Sequence, residues 1–77
     1  MSQLRKVSGK ECVKILCNKF GFQLLRQRGS HVILKKEMPG GKHIGTVIPI
    51  HDQLKIGTLK GILQQVNIDE EEFTKYI

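Results

Sequence analysis

One histidine lies in a strongly basic stretch of the chain, RQRGSHVILKK (residues 26–36). His31 follows a Gly-Ser pair typical of a tight turn, so its imidazole is expected to be accessible. An imidazole titrates near neutral pH and serves as a general base, while Arg and Lys neutralise phosphate oxygens. RNA is cut by its own 2′-hydroxyl when a base removes the proton and positive charge stabilises the transition state. The stretch therefore fits either phosphodiester cleavage with His31 as the base, or a solvated turn in which His31 has no chemical role.

The cations near His31 are suited to positioning a phosphate backbone. Arg26 is expected to lie near opposite His31 across a hairpin, so that both reach one phosphodiester. Lys55 and Lys60 either follow the backbone from a second helix or belong to a solvated helix face. The candidate nucleic-acid-binding residues are Arg26, Arg28, Ser30, Lys35 and Lys60.

The remaining histidines and the two cysteines suggest less chemistry. His43 is expected to be solvated in a Gly-rich loop, and His51 either closes a turn or acts as a general acid. These residues have no compact metal-ligand spacing, and GGK lacks the frame of a phosphate-binding loop. We expect no metal and no cofactor.

The composition predicts a small, basic, single-domain protein spanning residues 1–77, because a chain of this length cannot form two cores. Thirteen Lys and Arg against seven Asp and Glu give a net charge of +6. The charge is uneven: residues 1–68 carry +9 and residues 69–77 carry −3. A basic body is typical of proteins that bind nucleic acid, although charge alone also fits a basic domain without such a partner.

The chain shows no feature of a secreted or membrane protein. Cys12 and Cys17 are five residues apart in a helical segment, where they point in different directions and cannot form a disulfide. The first ten residues lack the apolar core of a signal peptide, and no apolar run is long enough to span a membrane. We expect a cytoplasmic protein with reduced thiols.

Hydrophobic spacing predicts the order α-β-β-β-α followed by a short terminal helix. A capping box at Ser8 begins a helix over 9–20, and Gly21 ends it. Strands are predicted at Phe22–Gln27, His31–Lys36 and Thr46–Ile50, with a turn at 28–30 and a flexible loop at 37–45. Leu59, Ile62, Leu63 and Val66 form the buried stripe of a second helix, and a last short helix begins near Asp69. A three-stranded antiparallel sheet with helices on one face is an α+β layout like that of double-stranded-RNA-binding domains, which recognise A-form helices by shape.

These segments together resemble the HicA-type toxins of prokaryotic toxin–antitoxin systems. The resemblance rests on SGKECVKIL, the GF that follows, RQRGSH, TVIPIH and KIGTLKGILQQV, in this order and over nearly the whole chain. RQRGSH and GTLKGIL are the most distinctive.

The resemblance implies an mRNA interferase, an endoribonuclease that cleaves messenger RNA with or without the ribosome. It also implies that the histidine of the GSH motif, His31, is essential. The expected partner is a HicB-type antitoxin that contacts the region around His31 and the basic hairpin. The acidic end, DEEEFTKYI, extends past many family members and either packs as a helix or modulates partner binding. The alternatives are a non-catalytic double-stranded RNA-binding module and a protein-interaction domain whose charge serves an acidic partner.

Overall fold

The computed structural model describes residues 4–77, so residues 1–3 of the predicted domain lie outside the described residues. The three strands form one antiparallel sheet in the order β1-β2-β3. The predicted α+β fold, α-β-β-β-α with a short extra C-terminal helix, is confirmed. The elements are α1 (Gly9–Lys19), β1 (Gln23–Arg28), β2 (His31–Met38), a 3-10 turn (Pro39–Gly41), β3 (Lys42–Pro49), α2 (Ile56–Gln65) and α3 (Glu70–Thr74).

Helix α1 begins and ends where its sequence signals predict. The Ser8 hydroxyl accepts a hydrogen bond from the Glu11 amide at 3.0 Å, which satisfies one of the free donors of the first turn. Cys12 and Leu16 are fully buried on the predicted apolar stripe. Gly21 has a φ of +78°, the left-handed conformation that lets the chain leave the helix.

Helices cover one face of the sheet, and the core lies between these two layers. Val32, Leu34 and Ile48 point from the sheet into this core. Both α1 and α2 pack mainly against β3. Strand β1 forms the other edge of the sheet, and its six residues are exposed. The predicted stripe of α2 is confirmed, since Leu59, Ile62, Leu63 and Val66 are all buried.

The predicted flexible loop at 37–45 is wrong. Strand β2 continues to Met38 and β3 begins at Lys42, so only the 3-10 turn separates them. Gly40 and Gly41 have φ values of +84° and +80°, which allow the chain to reverse within three residues. The glycines that suggested flexibility instead form a tight connection between two eight-residue strands.

The first hairpin also differs in register from the prediction. Its turn contains two residues, Gly29 and Ser30, and Gly29 has a φ of +59°. In a two-residue hairpin the flanking residues pair directly, so Arg28 lies opposite His31. The prediction that Arg26 opposes His31 is therefore wrong. Arg26 pairs with Ile33 instead, next to a bulge in β1.

Candidate nucleic-acid interface

His31 is the first residue of the central strand and projects away from the core. It pairs with Arg28 on one side and with Pro49 on the other. The next residue, Val32, is buried beneath the helices, and successive side chains of a strand point to opposite faces. The exposed imidazole therefore lies on the side of the sheet that no helix covers.

We call this side the open face. Directly paired residues present their side chains to the same face, so the pairing of β2 with β1 and β3 shows which residues lie on the open face. Along β2, Lys35 is four residues from His31, about 13 Å at the rise of an extended strand. His31 thus shares this face with three of the four cations that were predicted to bind nucleic acid, namely Arg26, Arg28 and Lys35. Around His31 the open face is formed by Arg26, Arg28, His31, Ile33, Lys35, Val47 and Pro49, and it continues towards the other end of the strands through Gln23, Gly45, Glu37 and His43.

The charged groups of the open face are not neutralised by the protein. Within residues 4–77, neither Arg26 nor Arg28 forms an ion pair, and the imidazole of His31 has no hydrogen-bond partner. Both arginines are exposed. Cations without a protein partner are free to bind phosphate oxygens.

Backbone hydrogen bonds connect the segment after β3 both to the turn beside His31 and to the start of α1. The amide of Ile50 donates to the carbonyl oxygen of Ser30 at 2.6 Å, and the amide of Gly9 donates to that of His51 at 2.9 Å. A Cβ atom at Gly9 would overlap the carbonyl oxygen of Pro49. The structure therefore brings the backbone of His51 to the same end of the sheet as Ser30 and His31.

Gly9 is the residue of this region that the sequence analysis did not identify. The available signal was a glycine in the first turn of a helix, where most residues are better helix formers. Here the lack of a side chain permits the close contact between α1 and β3.

Two other candidates lie elsewhere. Lys60 is exposed on α2 and lines a groove with Leu63, Gln64, Ile68, Asp69 and Glu70, so it belongs to the helical layer. His43 pairs with Glu37 and is exposed at the opposite end of β2 and β3 from His31. The structure does not bring either residue to His31.

The cysteines are not prepared for nucleophilic chemistry. Burial raises the pKa of the Cys12 thiol to about 12 and also raises the pKa of Cys17. Thiolates, the reactive form of cysteine, are therefore scarce at neutral pH. In the described part of the chain, no three His, Cys, Asp or Glu residues are grouped as metal ligands, and no helix is long and apolar enough to cross a membrane.

Residues 9–68 match a family model described as the HicA toxin of bacterial toxin–antitoxin. The chain belongs to the HicA toxin family. Comparison with curated proteins and with solved structures found no significant match. The matched segment contains α1, the whole sheet and α2, and it ends before α3. Membership of the HicA family implies that the protein is the toxin of a toxin–antitoxin pair and has an antitoxin partner of the HicB type.

Proposed function

We propose that this HicA-family toxin is an endoribonuclease that cleaves messenger RNA without a metal ion, with His31 as its catalytic residue. The observation that carries the proposal is the pairing of His31 with Arg28 on the open face. An unpartnered imidazole and an unneutralised guanidinium lie on adjacent strands there. The α-β-β-β-α layout, shared with double-stranded-RNA-binding domains, and the basic charge of the body support RNA as the substrate.

The proposed reaction uses a nucleophile that RNA itself provides. His31 accepts the proton of a 2′-hydroxyl group, and the freed oxygen attacks the adjacent phosphorus. The bond from phosphorus to the 5′-oxygen breaks, and that oxygen takes up a proton. The products are one fragment with a 2′,3′-cyclic phosphate and another with a 5′-hydroxyl. Arg28 stabilises the charge that develops on the phosphate oxygens.

The other residues of the open face position the RNA. Arg26 and Lys35 are far enough along the sheet to contact neighbouring phosphates, and Ser30 offers a hydroxyl beside His31. The general acid is His51, a lysine or water, and the backbone of His51 lies at the same end of the sheet as Ser30 and His31. A HicB-type antitoxin that covers His31 and the basic hairpin would exclude RNA from this face.

The test is cleavage of a long messenger RNA in EDTA by the wild-type protein, His31→Ala and His43→Ala. His43 is a matched control because it is an exposed histidine at the distant end of the same two strands. We expect His31→Ala to reduce the cleavage rate about 10²–10⁴-fold, the usual contribution of a general base, and His43→Ala to retain the wild-type rate. The fragments should carry 2′,3′-cyclic phosphate ends.

The other outcomes separate the alternatives. If the wild-type protein binds RNA but does not cut it, the chain is a non-catalytic RNA-binding module. If it neither binds nor cuts RNA at physiological salt, a protein-interaction domain is the better description. Equal cutting by wild type and His31→Ala would remove His31 from the catalytic role.

A further inference from the structure

The two edges of the sheet differ in how they are covered. Strand β3 contacts both α1 and α2, and Gly9 lies against Pro49 and Ile50 at its end. Strand β1 pairs with β2 on one side only, and all six of its residues are exposed. An uncovered edge strand presents unpaired backbone groups that a further strand can bind.

Strand β1 also exposes two large apolar side chains. Leu24 is 54 % exposed and Leu25 is 59 % exposed. Leu24 and Gln27 line a groove beside α1, together with Lys10, Val13, Val32 and Ile50. The edge therefore has an apolar surface next to its backbone groups.

The hydrogen-bond pattern indicates which backbone groups are free. The bond from Ile50 to Ser30 directs the backbone groups of Ser30 towards β3, so those of His31 point towards β1. Arg28 pairs with His31, so the backbone groups of Arg28 point towards β2. The amide and carbonyl of the preceding residue, Gln27, therefore point outwards from the edge of the sheet. An added strand would find its hydrogen-bond partners at Gln27.

The charge of the edge favours one kind of occupant. Arg26 and Arg28 have no acidic partner within the described residues, and Lys10 lies in the groove. Pairing of β1 with β1 of a second copy would bring these arginines together and is opposed by their repulsion. RNA would neutralise the arginines but would leave the leucines and the outward amide unmatched. An acidic polypeptide matches all three features.

We propose that the edge of β1 is the docking site for an extended acidic segment of a partner protein, which adds to the sheet as a fourth strand. Its backbone pairs with Gln27, its apolar residues pack on Leu24 and Leu25, and its carboxylates face the arginines. The proposal does not depend on the nuclease activity, because binding at this edge needs no cleavage.

The test uses the ¹⁵N-labelled full chain and a synthetic ten-residue peptide that alternates Glu and Val. We expect amide shifts confined to β1 and its groove, and slower hydrogen exchange at the Gln27 amide. Two control peptides distinguish strand addition from charge alone. One has N-methyl groups on alternate amides and the other has Lys in place of Glu, and both should lose binding.

A pair of variants locates the site. Leu24→Ser should weaken peptide binding about tenfold, because one apolar contact of the docked strand is lost. Val47→Ser is the matched control, since it removes a 47 % exposed aliphatic side chain from the open face of the other edge strand and should leave binding unchanged. Thermal unfolding of both variants checks that neither affects the fold.

Several results would overturn the proposal. Equal binding of the N-methylated peptide would exclude strand addition. Loss of binding in Val47→Ser but not in Leu24→Ser would place the peptide on the open face instead. Amide shifts in β1 that a short RNA duplex produces and the acidic peptide does not would assign this edge to RNA.

Discussion

The two sides of the sheet carry opposite kinds of residues. The covered side is apolar and closely packed, and Phe73 of α3, outside the segment matched to the HicA family, is fully buried there. The open face has an exposed imidazole and exposed arginines that no acidic residue of the described chain neutralises. The buried residues that stabilise the fold therefore lie on one side of the sheet, and the residues to which we assign the chemistry in our proposal lie on the other.

The acidic end of the chain belongs to the covered side. Phe20, at the end of α1, stacks with Phe73 at 6.5 Å between ring centroids and meets Tyr76 edge-on at 5.6 Å. The other end of α1, at Gly9, is hydrogen bonded to His51, whose neighbour Ile50 is hydrogen bonded to Ser30. Eleven helical residues separate these ends by about 16 Å. Phe73 and Tyr76 therefore contact α1 at the end opposite to the one that is hydrogen bonded to His51.

The substitution with the largest expected effect on stability tests whether α3 stabilises the fold. Phe73→Ala should lower the free energy of unfolding by about 3–5 kcal/mol, because it leaves a cavity in the core. Tyr76→Ala, at a residue 42 % exposed, is the control and should cost less. Both are measured by urea denaturation. At a temperature where Phe73→Ala is still folded, RNA cleavage should match the wild type, and a lost activity would break the separation of the two sides.

A smaller effect concerns the buried thiol of the covered side. Burial raises the pKa of Cys12 from 9.0 to about 12, so between these values the unfolded chain releases a proton that the folded chain keeps. The contribution of Cys12 to stability is thus fully present below pH 9 and is lost as the pH rises from 9 towards 12, by up to about 1.4 kcal/mol per unit. Between pH 8 and pH 10.5, the wild type should lose about 2 kcal/mol more than Cys12→Ala. Identical pH dependence in urea denaturation would contradict this, and Cys17→Ala is the control with a less buried thiol.

Local signals in the sequence were sufficient for the order of the elements, but not for the length of β2 and β3. The Ser8 cap, the apolar stripe of α2 and the turn at Gly29 each depend on residues that are close to one another in the sequence. His31 also reached its predicted setting, exposed at the start of a strand, since a Gly-Ser turn and a β-rich run are adjacent in the sequence.

Features that depend on distant parts of the chain were not predictable in this way. A shift of one or two residues in the hairpin decides whether Arg26 or Arg28 faces His31, and both patterns alternate equally well in sequence. The requirement for Gly9 comes from β3, forty residues away. Both helices pack mainly against β3 while β1 stays exposed, and no local pattern in the sequence encodes this difference between the two edge strands.

The smallest expected effect compares two exposed cations, one on each side. Arg28→Ala should reduce the slope of log affinity against log salt by about 1 in RNA binding, because one phosphate contact is lost. Lys60→Ala removes the same charge from the helical layer, beside Asp69, and should leave the slope unchanged. Fluorescence anisotropy with a labelled RNA duplex measures both slopes, on a His31→Ala background in which we expect cleavage to be slow. An equal reduction for Lys60→Ala would show that RNA also contacts the helical layer, and binding would then extend beyond the face on which we place the chemistry.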